Sequence, residues 1–304
     1  MAISKITGSG LGTIVGNVDF NGDMDVDGTA NLDIVDIDGA VNMATTALVT
    51  GVLTANGGAV FNEGSADVDF RVEGNGNANA LFVEGATDQV GIGTNDPARP
   101  LSVFHATAPY VQVANNTSGI AAADGFQLQL VAADLYQWNY ENGFQRFGTN
   151  NATSMNISAA GEITMPRQPA FLARPASNQS NIPINANTTV VLGSEVYDIG
   201  GNFASNTFTA PVTGKYQLNV KLNFASVDVS SEYVNVYLAA SNRSIVFTYG
   251  SSAGDADTYQ TVAFSILMDM DASDTAYIYI NLPNQGQAIM DVTTDSKFSG
   301  YLVA

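Results

Sequence analysis

Asn206-Thr207-Phe208-Thr209-Ala210-Pro211-Val212-Thr213-Gly214-Lys215-Tyr216 is the stretch from which the fold of this 304-residue chain is read. Phe208 stands between two threonines, the alternation of a strand with one buried face. Pro211 and Gly214 then turn the chain, the first by fixing φ and the second by accepting conformations other residues avoid. Tyr216 and Leu218 resume the alternation beyond the turn, so Phe208, Tyr216 and Leu218 are expected to share a core. Pro166 and Pro169 mark a boundary upstream, and residues 166–304 read as a sandwich of many short strands.

Working outward, residues 66–165 show longer alternating runs. Val68, Phe70 and Val72 form one, and Leu81 with Val83 a second. Gly91-Ile92-Gly93-Thr94-Asn95-Asp96-Pro97 is expected to be a compact turn before a strand at Leu101 and Val103. Phe126, Leu128 and Leu130 alternate with Gln127 and Gln129, and Tyr136, Trp138 and Tyr140 follow at the same spacing; both runs are expected to be strands with one buried face. Among the 29 Gly are the steps Asn21-Gly22, Asp27-Gly28, Asp38-Gly39, Asn56-Gly57 and Asn142-Gly143, which supply the positive φ of tight hairpins. Apolar spacing of 3.6 residues is missing over any useful length, so the fold class expected is all-β.

Residues 17–65 hold an internal repeat. Apolar pairs two residues apart recur nearly every six residues: Val18/Phe20, Met24/Val26, Ala30/Leu32, Val35/Ile37, Val41/Met43, Ala47/Val49 and Leu53/Ala55. Each pair reads as a very short strand showing one face, too thin to bury that face within its own chain. Sister copies wound together would cover it, which makes a fibre shaft with Phe20, Val26 and Leu32 packed inside a homotrimer. Residues 1–16 precede the repeat.

Charged residues make up only 13% of the chain, so Asn, Ser, Thr and Gly supply most of its polarity. A net charge of −19 excludes binding to a phosphate backbone. The absence of Cys excludes disulfides, thiolate zinc sites and a Cys nucleophile, and His105 alone cannot make a His-rich metal centre. The first ten residues lack the apolar block of a signal peptide, and no run has the length a membrane helix needs. Membrane insertion is not expected.

Asp23-Met24-Asp25-Val26-Asp27-Gly28 matches the first half of an EF-hand loop, but the twelfth position is Ile34 rather than a bidentate Glu. A solvated strand is the reading, with a weak divalent cation as the alternative; no cofactor and no metal residues are assigned. Gly91-Ile92-Gly93 lacks the rest of a dinucleotide fingerprint, and His105 has no nucleophile-elbow Ser to partner it. Acid pairs such as Asp255 with Asp257 or Asp269 with Asp271 arise by chance in a chain with 29 acids, and no catalytic residue is assigned. Sequons such as Asn151-Ala152-Thr153 mean nothing without a secretory route. Two roles stay open for Tyr136, Trp138 and Tyr140: packing in a trimer core, or stacking on sugar faces.

Residues 166–304 resemble a C1q-like module, the trimeric jelly roll related to the tumour necrosis factor head. The resemblance rests on Pro169-Ala170-Phe171, on Phe203 with Asn206 through Tyr216, and on Phe298-Ser299-Gly300-Tyr301-Leu302. Leu218 replaces the Phe that many family members carry there, which keeps the position apolar. Asp88 through Pro97 resembles a turn segment of bacteriophage fibres and bacterial adhesins. Phe147-Gly148-Thr149-Asn150, Met155-Asn156-Ile157 and Gly161-Glu162-Ile163 resemble the connector before such heads.

What the resemblance implies is an elongated homotrimeric virion fibre, assembled in the host cytoplasm. Its N-terminal segment would join capsid or tail proteins, and its head would adhere to a host surface glycan or other receptor without enzymatic activity. Phe298 and Tyr301 join Phe208, Tyr216 and Leu218 as packing residues of the head or its trimer. Loops are expected to carry receptor contacts, with Tyr249, Asp255, Asp257 and Tyr259 the candidates. The alternative is a structural capsid, neck or tail decoration that binds no receptor.

Overall fold

The computed structural model describes residues 29–30, 32, 35, 37, 41, 43–62, 64–228, 233–250, 259–283 and 287–304. The chain divides into two units, Met1–Glu63 and Gly64–Ala304. Phe20 and Val26 lie outside the described residues. Among the described residues of the first unit no strand forms, contrary to the short strands expected at the apolar pairs. Leu32, Val35, Ile37, Val41 and Leu53 are exposed. The physical reason is the thinness of the repeat: one copy offers these pairs no second layer to pack on and no neighbouring strand to bond.

The second unit begins with a four-stranded sheet of β1 (Phe70–Gly74), β2 (Asn77–Glu84), β3 (Gln89–Ile92) and β4 (Leu101–Val103), ordered as in the chain. Gly91 and Ile92 belong to β3 rather than to the turn expected there, and Gly93 at φ 82° begins the connection. That connection brings β4 back parallel to β3, with Val90 opposite Leu101. Strands β5 (Tyr110–Val113), β6 (Phe126–Val131) and β7 (Asp134–Asn139) form an antiparallel sheet. Its burial corrects the sequence reading: Leu130, Leu135 and Trp138 are exposed, while Gln127 is buried. Strands β8 (Gln145–Thr149), β9 (Ala152–Ile157) and β10 (Ile163–Thr164) make a third small sheet. Its tight hairpin is Asn150-Asn151, both at positive φ, the requirement of a two-residue type I′ turn.

The remaining strands build a two-sheet sandwich. They are β11 (Ala170–Arg174), β12 (Asn187–Thr189), β13 (Ser194–Ile199), β14 (Phe203–Ala204), β15 (Thr207–Thr209) and β16 (Gly214–Ala225), followed by β17 (Tyr233–Ala240), β18 (Ser244–Gly250), β19 (Gln260–Met270), β20 (Thr275–Asn281), β21 (Asp291–Val292) and β22 (Lys297–Leu302). One sheet runs β13-β11-β22-β16-β19, with β21 beside β16; the other runs β14-β15-β20-β17-β18, with β12 beside β20. This is the jelly-roll arrangement. The opening strand β11 pairs with the closing strand β22, Phe171 opposite Gly300.

Strict alternation fills the space between the sheets. In β16 Tyr216, Leu218, Val220, Leu222 and Phe224 point inward and are buried, and Val234, Val236, Leu238, Ile278 and Ile280 meet them from the second sheet. Phe171 sits at the centre, with ring centroids 5.0 Å from Phe203, 4.7 Å from Phe208 and 4.9 Å from Phe298. Tyr216 stays in this apolar core because its hydroxyl donates a 2.7 Å hydrogen bond to the Val212 carbonyl in the turn.

Gly300 makes the close approach of β22 possible. A Cβ there would stand 2.6 Å from Leu218 Cδ2 and 2.8 Å from Phe171 Cε1. Gly300→Val is therefore expected to cost about 1–3 kcal/mol by overpacking, read as a lower urea midpoint at unchanged slope. An unchanged midpoint would show that the core has slack at this position.

Candidate functional site on the head

The outward face of the first head sheet is built by the positions left over from the inward alternation. Cross-strand register sets Tyr197 beside Leu172, Leu172 beside Ser299, Ser299 beside Asn219 and Asn219 beside Ser265. An adjacent row sets Tyr301 beside Gln217 and Gln217 beside Leu267. Tyr197, Leu267 and Tyr301 remain 48%, 52% and 48% exposed, large for apolar or aromatic side chains in mid-sheet. Between them the polar groups engage one another: Ser265 Oγ donates to Asn219 Oδ1 at 2.7 Å, and Asn219 Nδ2 to Ser299 Oγ at 3.5 Å. The face is uncharged at its middle, with Lys221 opposite Lys297 farther along. Such a surface suits contact with another protein surface rather than chemistry on a small molecule.

Of the expected packing residues, Phe208, Tyr216, Leu218 and Phe298 are buried in the head. Tyr301 is not part of that core. It stands three residues after Phe298, and strand alternation puts residues of opposite parity on opposite faces. Tyr197 and Leu267 were missed by the sequence reading. Leu267 carried a signal, since it is the one large apolar side chain among the small or polar Thr261, Ala263, Ser265 and Asp269 of the same parity on its own strand.

The expected receptor residues separate. Asp255 and Asp257 lie outside the described residues. Tyr249, next to the end of β18, is partly buried against the core, and its hydroxyl donates to Gln260 Oε1 at 2.6 Å. Near it Phe247 stacks on Phe264 with centroids 5.7 Å apart. Tyr259 is 74% exposed. Its position follows from register: β16 starts beside the chain's last residue, Lys215 N donating to Ala304 O at 2.7 Å, and ends with Phe224 beside Gln260. Pro169 is bonded to Leu302, which lies opposite Tyr216, so the run from Tyr216 to Phe224, about 27 Å at strand rise, separates Gln260 and the adjoining Tyr259 from the point where the chain enters the head.

The acid pair Asp269 and Asp271 lacks the setting of a catalytic dyad. Asp269 is exposed and ion-paired with Arg243, while Asp271 accepts a 3.5 Å hydrogen bond from Thr213. Among the described residues no group of three or more His, Cys, Asp or Glu is placed to hold a metal ion. Asp23, Asp25 and Asp27, considered for a weak cation, lie outside the described residues.

Two phenols are perturbed. Burial pushes the Tyr216 hydroxyl above the ordinary tyrosine range, partly offset by its bond to Val212. Tyr279 is raised first by burial and then by the neighbouring phenols Tyr237 and Tyr277, with Tyr237 stacked on it at 4.4 Å. A raised pKa favours folding below the unfolded value of about 10, and that contribution fades as pH climbs through the folded value. Stability is expected to hold up to about pH 10 and to fall above it. Chemical unfolding at stepped alkaline pH reads this, and Tyr216→Phe should flatten the fall. An identical pH dependence in the variant would remove Tyr216 from the account.

Residues 170–303, the C-terminal sandwich, match the model of the C1q domain family. Among solved structures, the globular domain of zebrafish complement 1qA is similar at 15% identity and a TM-score of 0.35, covering 45% of this chain and 98% of that one. Murine APRIL is similar at 11% identity and a TM-score of 0.34, covering 45% of this chain and 99% of its own. Eiger TNF from S. frugiperda shows 10% identity and a TM-score of 0.35, covering 45% and 91%. No curated protein sequence matches the chain.

Proposed function

We propose that three copies of this chain form a non-enzymatic bacteriophage virion fibre, whose C1q head adheres to a glycan or other receptor on the host surface. The observation that carries the reading is the outward face of the head with Tyr197, Leu267 and Tyr301 half exposed, since sister copies would cover it. The exposed apolar pairs of residues 32–53 support the same assembly, because one copy cannot cover them. Tyr259, at the end of the head away from Pro169, is where a distal contact would fall. Three linked heads would turn a weak contact into useful avidity. Residues 1–16 would join capsid or tail proteins.

Light scattering tests the assembly: the expected mass is three times the chain's 31.8 kDa. A single-chain mass in dilute solution would overturn the trimer. Adhesion is tested by adding purified protein to host cells before the particle, and the expected result is competition for adsorption. Labelled protein found only within the particle's shell, with no competition, would assign it a decorating role instead. Within the loop, replacing Asp255 and Asp257 by Ala is expected to weaken competition while leaving the trimer mass unchanged; undiminished competition would clear those acids of a receptor role.

A further inference from the structure

The β5–β7 sheet has two faces of different chemistry. Register places Val111, Val113, Phe126, Leu128, Leu130 and Leu135 on one side. Tyr110, Gln129, Gln127, Tyr136 and Trp138 stand on the other, with Gln127 directly opposite Trp138 and Gln129 opposite both Tyr110 and Tyr136. On this second side Tyr136 and Trp138 lie near-parallel, 13° apart in plane with centroids 5.8 Å apart, and Tyr140 continues the row 6.3 Å beyond. Trp138 and Tyr140 are each 44% exposed.

Amide groups are fixed beside these rings. Gln129 Nε2 donates to the Tyr110 hydroxyl at 2.9 Å. Buried Gln127 donates to the Ala122 carbonyl at 2.7 Å, and Gln112 to the carbonyls of Ala121 and Asp124 at 2.8 Å each, so the connection between β5 and β6 is tied down on this side. Two of the nearby acids are engaged: Asp124 accepts from Ala121 N at 2.7 Å and Glu141 from Gly125 N at 2.8 Å.

We infer that the ring face of this sheet, formed by Tyr136, Trp138 and Tyr140 with Gln129 and Tyr110, is a binding site for a neutral glycan chain. Aromatic faces take the C–H-rich side of a pyranose, and amides and phenols take its hydroxyls. Rings repeating along one strand can meet successive sugars of an extended chain. Asp134, on the same side at the start of β7, and the chain's net charge of −19 select a neutral ligand over a polyanion. The inference does not depend on what the head binds.

The chain contains a single Trp, so Trp138 reports on this face without interference. Full-length protein is titrated with maltohexaose, cellohexaose, xylohexaose and chitohexaose while Trp emission is followed, and acrylamide quenching is measured before ligand is added. The expected result is a Trp138 open to acrylamide and a saturable emission change with at least one of the four. Tyr136→Ala with Tyr140→Ala should weaken that binding about tenfold or more, whereas Tyr136→Phe, which keeps the ring, should stay within about twofold. Circular dichroism confirms that each variant folds. Flat titrations with all four sugars, an emission change that survives the double substitution, or a Trp138 shielded from acrylamide in the free protein would each overturn the site, the last by showing that another protein surface occupies it.

Discussion

Phe171→Ala should unfold the head under conditions where the rest of the chain is unaffected. The ring contacts Phe203, Phe208 and Phe298 within about 5 Å and is 1% exposed, so its removal leaves a cavity bounded by three other rings. Truncating a buried Phe costs about 3–5 kcal/mol, against a total stability on the order of 5–15 kcal/mol for a domain. The position also joins the first strand of the sandwich to its last, since Phe171 faces Gly300 across the ladder. Urea unfolding followed by near-ultraviolet circular dichroism measures the loss. A midpoint within about 0.5 M of the parent, equivalent to roughly 1 kcal/mol at ordinary slopes, would show that the sandwich does not depend on this cluster.

The second large effect concerns assembly. Leu267→Asp combined with Tyr301→Asp places two charges per copy on the outward face without touching the inward rows. In a trimer, burying these carboxylates against like charges costs several kcal/mol per copy. The expected outcome is a fall in mass from three chains to one by light scattering, with the far-ultraviolet spectrum of the head retained. A variant that keeps the parent mass would mean that copies associate through another surface, such as the residue 32–53 repeat.

The sequence made the head legible because its strands obey period two. Phe208, Tyr216 and Leu218 lie on one parity across a turn marked by Pro211 and Gly214, and that parity is the buried one. Tyr301 was expected to pack in the head or its trimer, and parity puts it on the outward side. Gly91 and Ile92 were read as the start of the turn that runs to Pro97 but belong to β3; the parallel return of β4 depends on a pairing between distant segments that no local pattern announces. The β5–β7 sheet shows a further limit. Alternation identifies its two faces, but which one is buried depends on what packs against it, and there a Gln is buried while several aliphatic side chains are not. At the candidate site Leu267 was visible as an apolar residue in a polar row, whereas Tyr197 gained its importance only from the strand beside it.

The pairing of β11 with β22 has a practical corollary. Leu302 N donates to Pro169 O at 3.0 Å, so the polypeptide leaves the sandwich beside the place where it came in. A fluorophore or affinity peptide joined after Ala304 would project backward alongside residue 169, well clear of Tyr259. Under the adhesion proposed above, labels meant to leave adsorption undisturbed belong at that terminus.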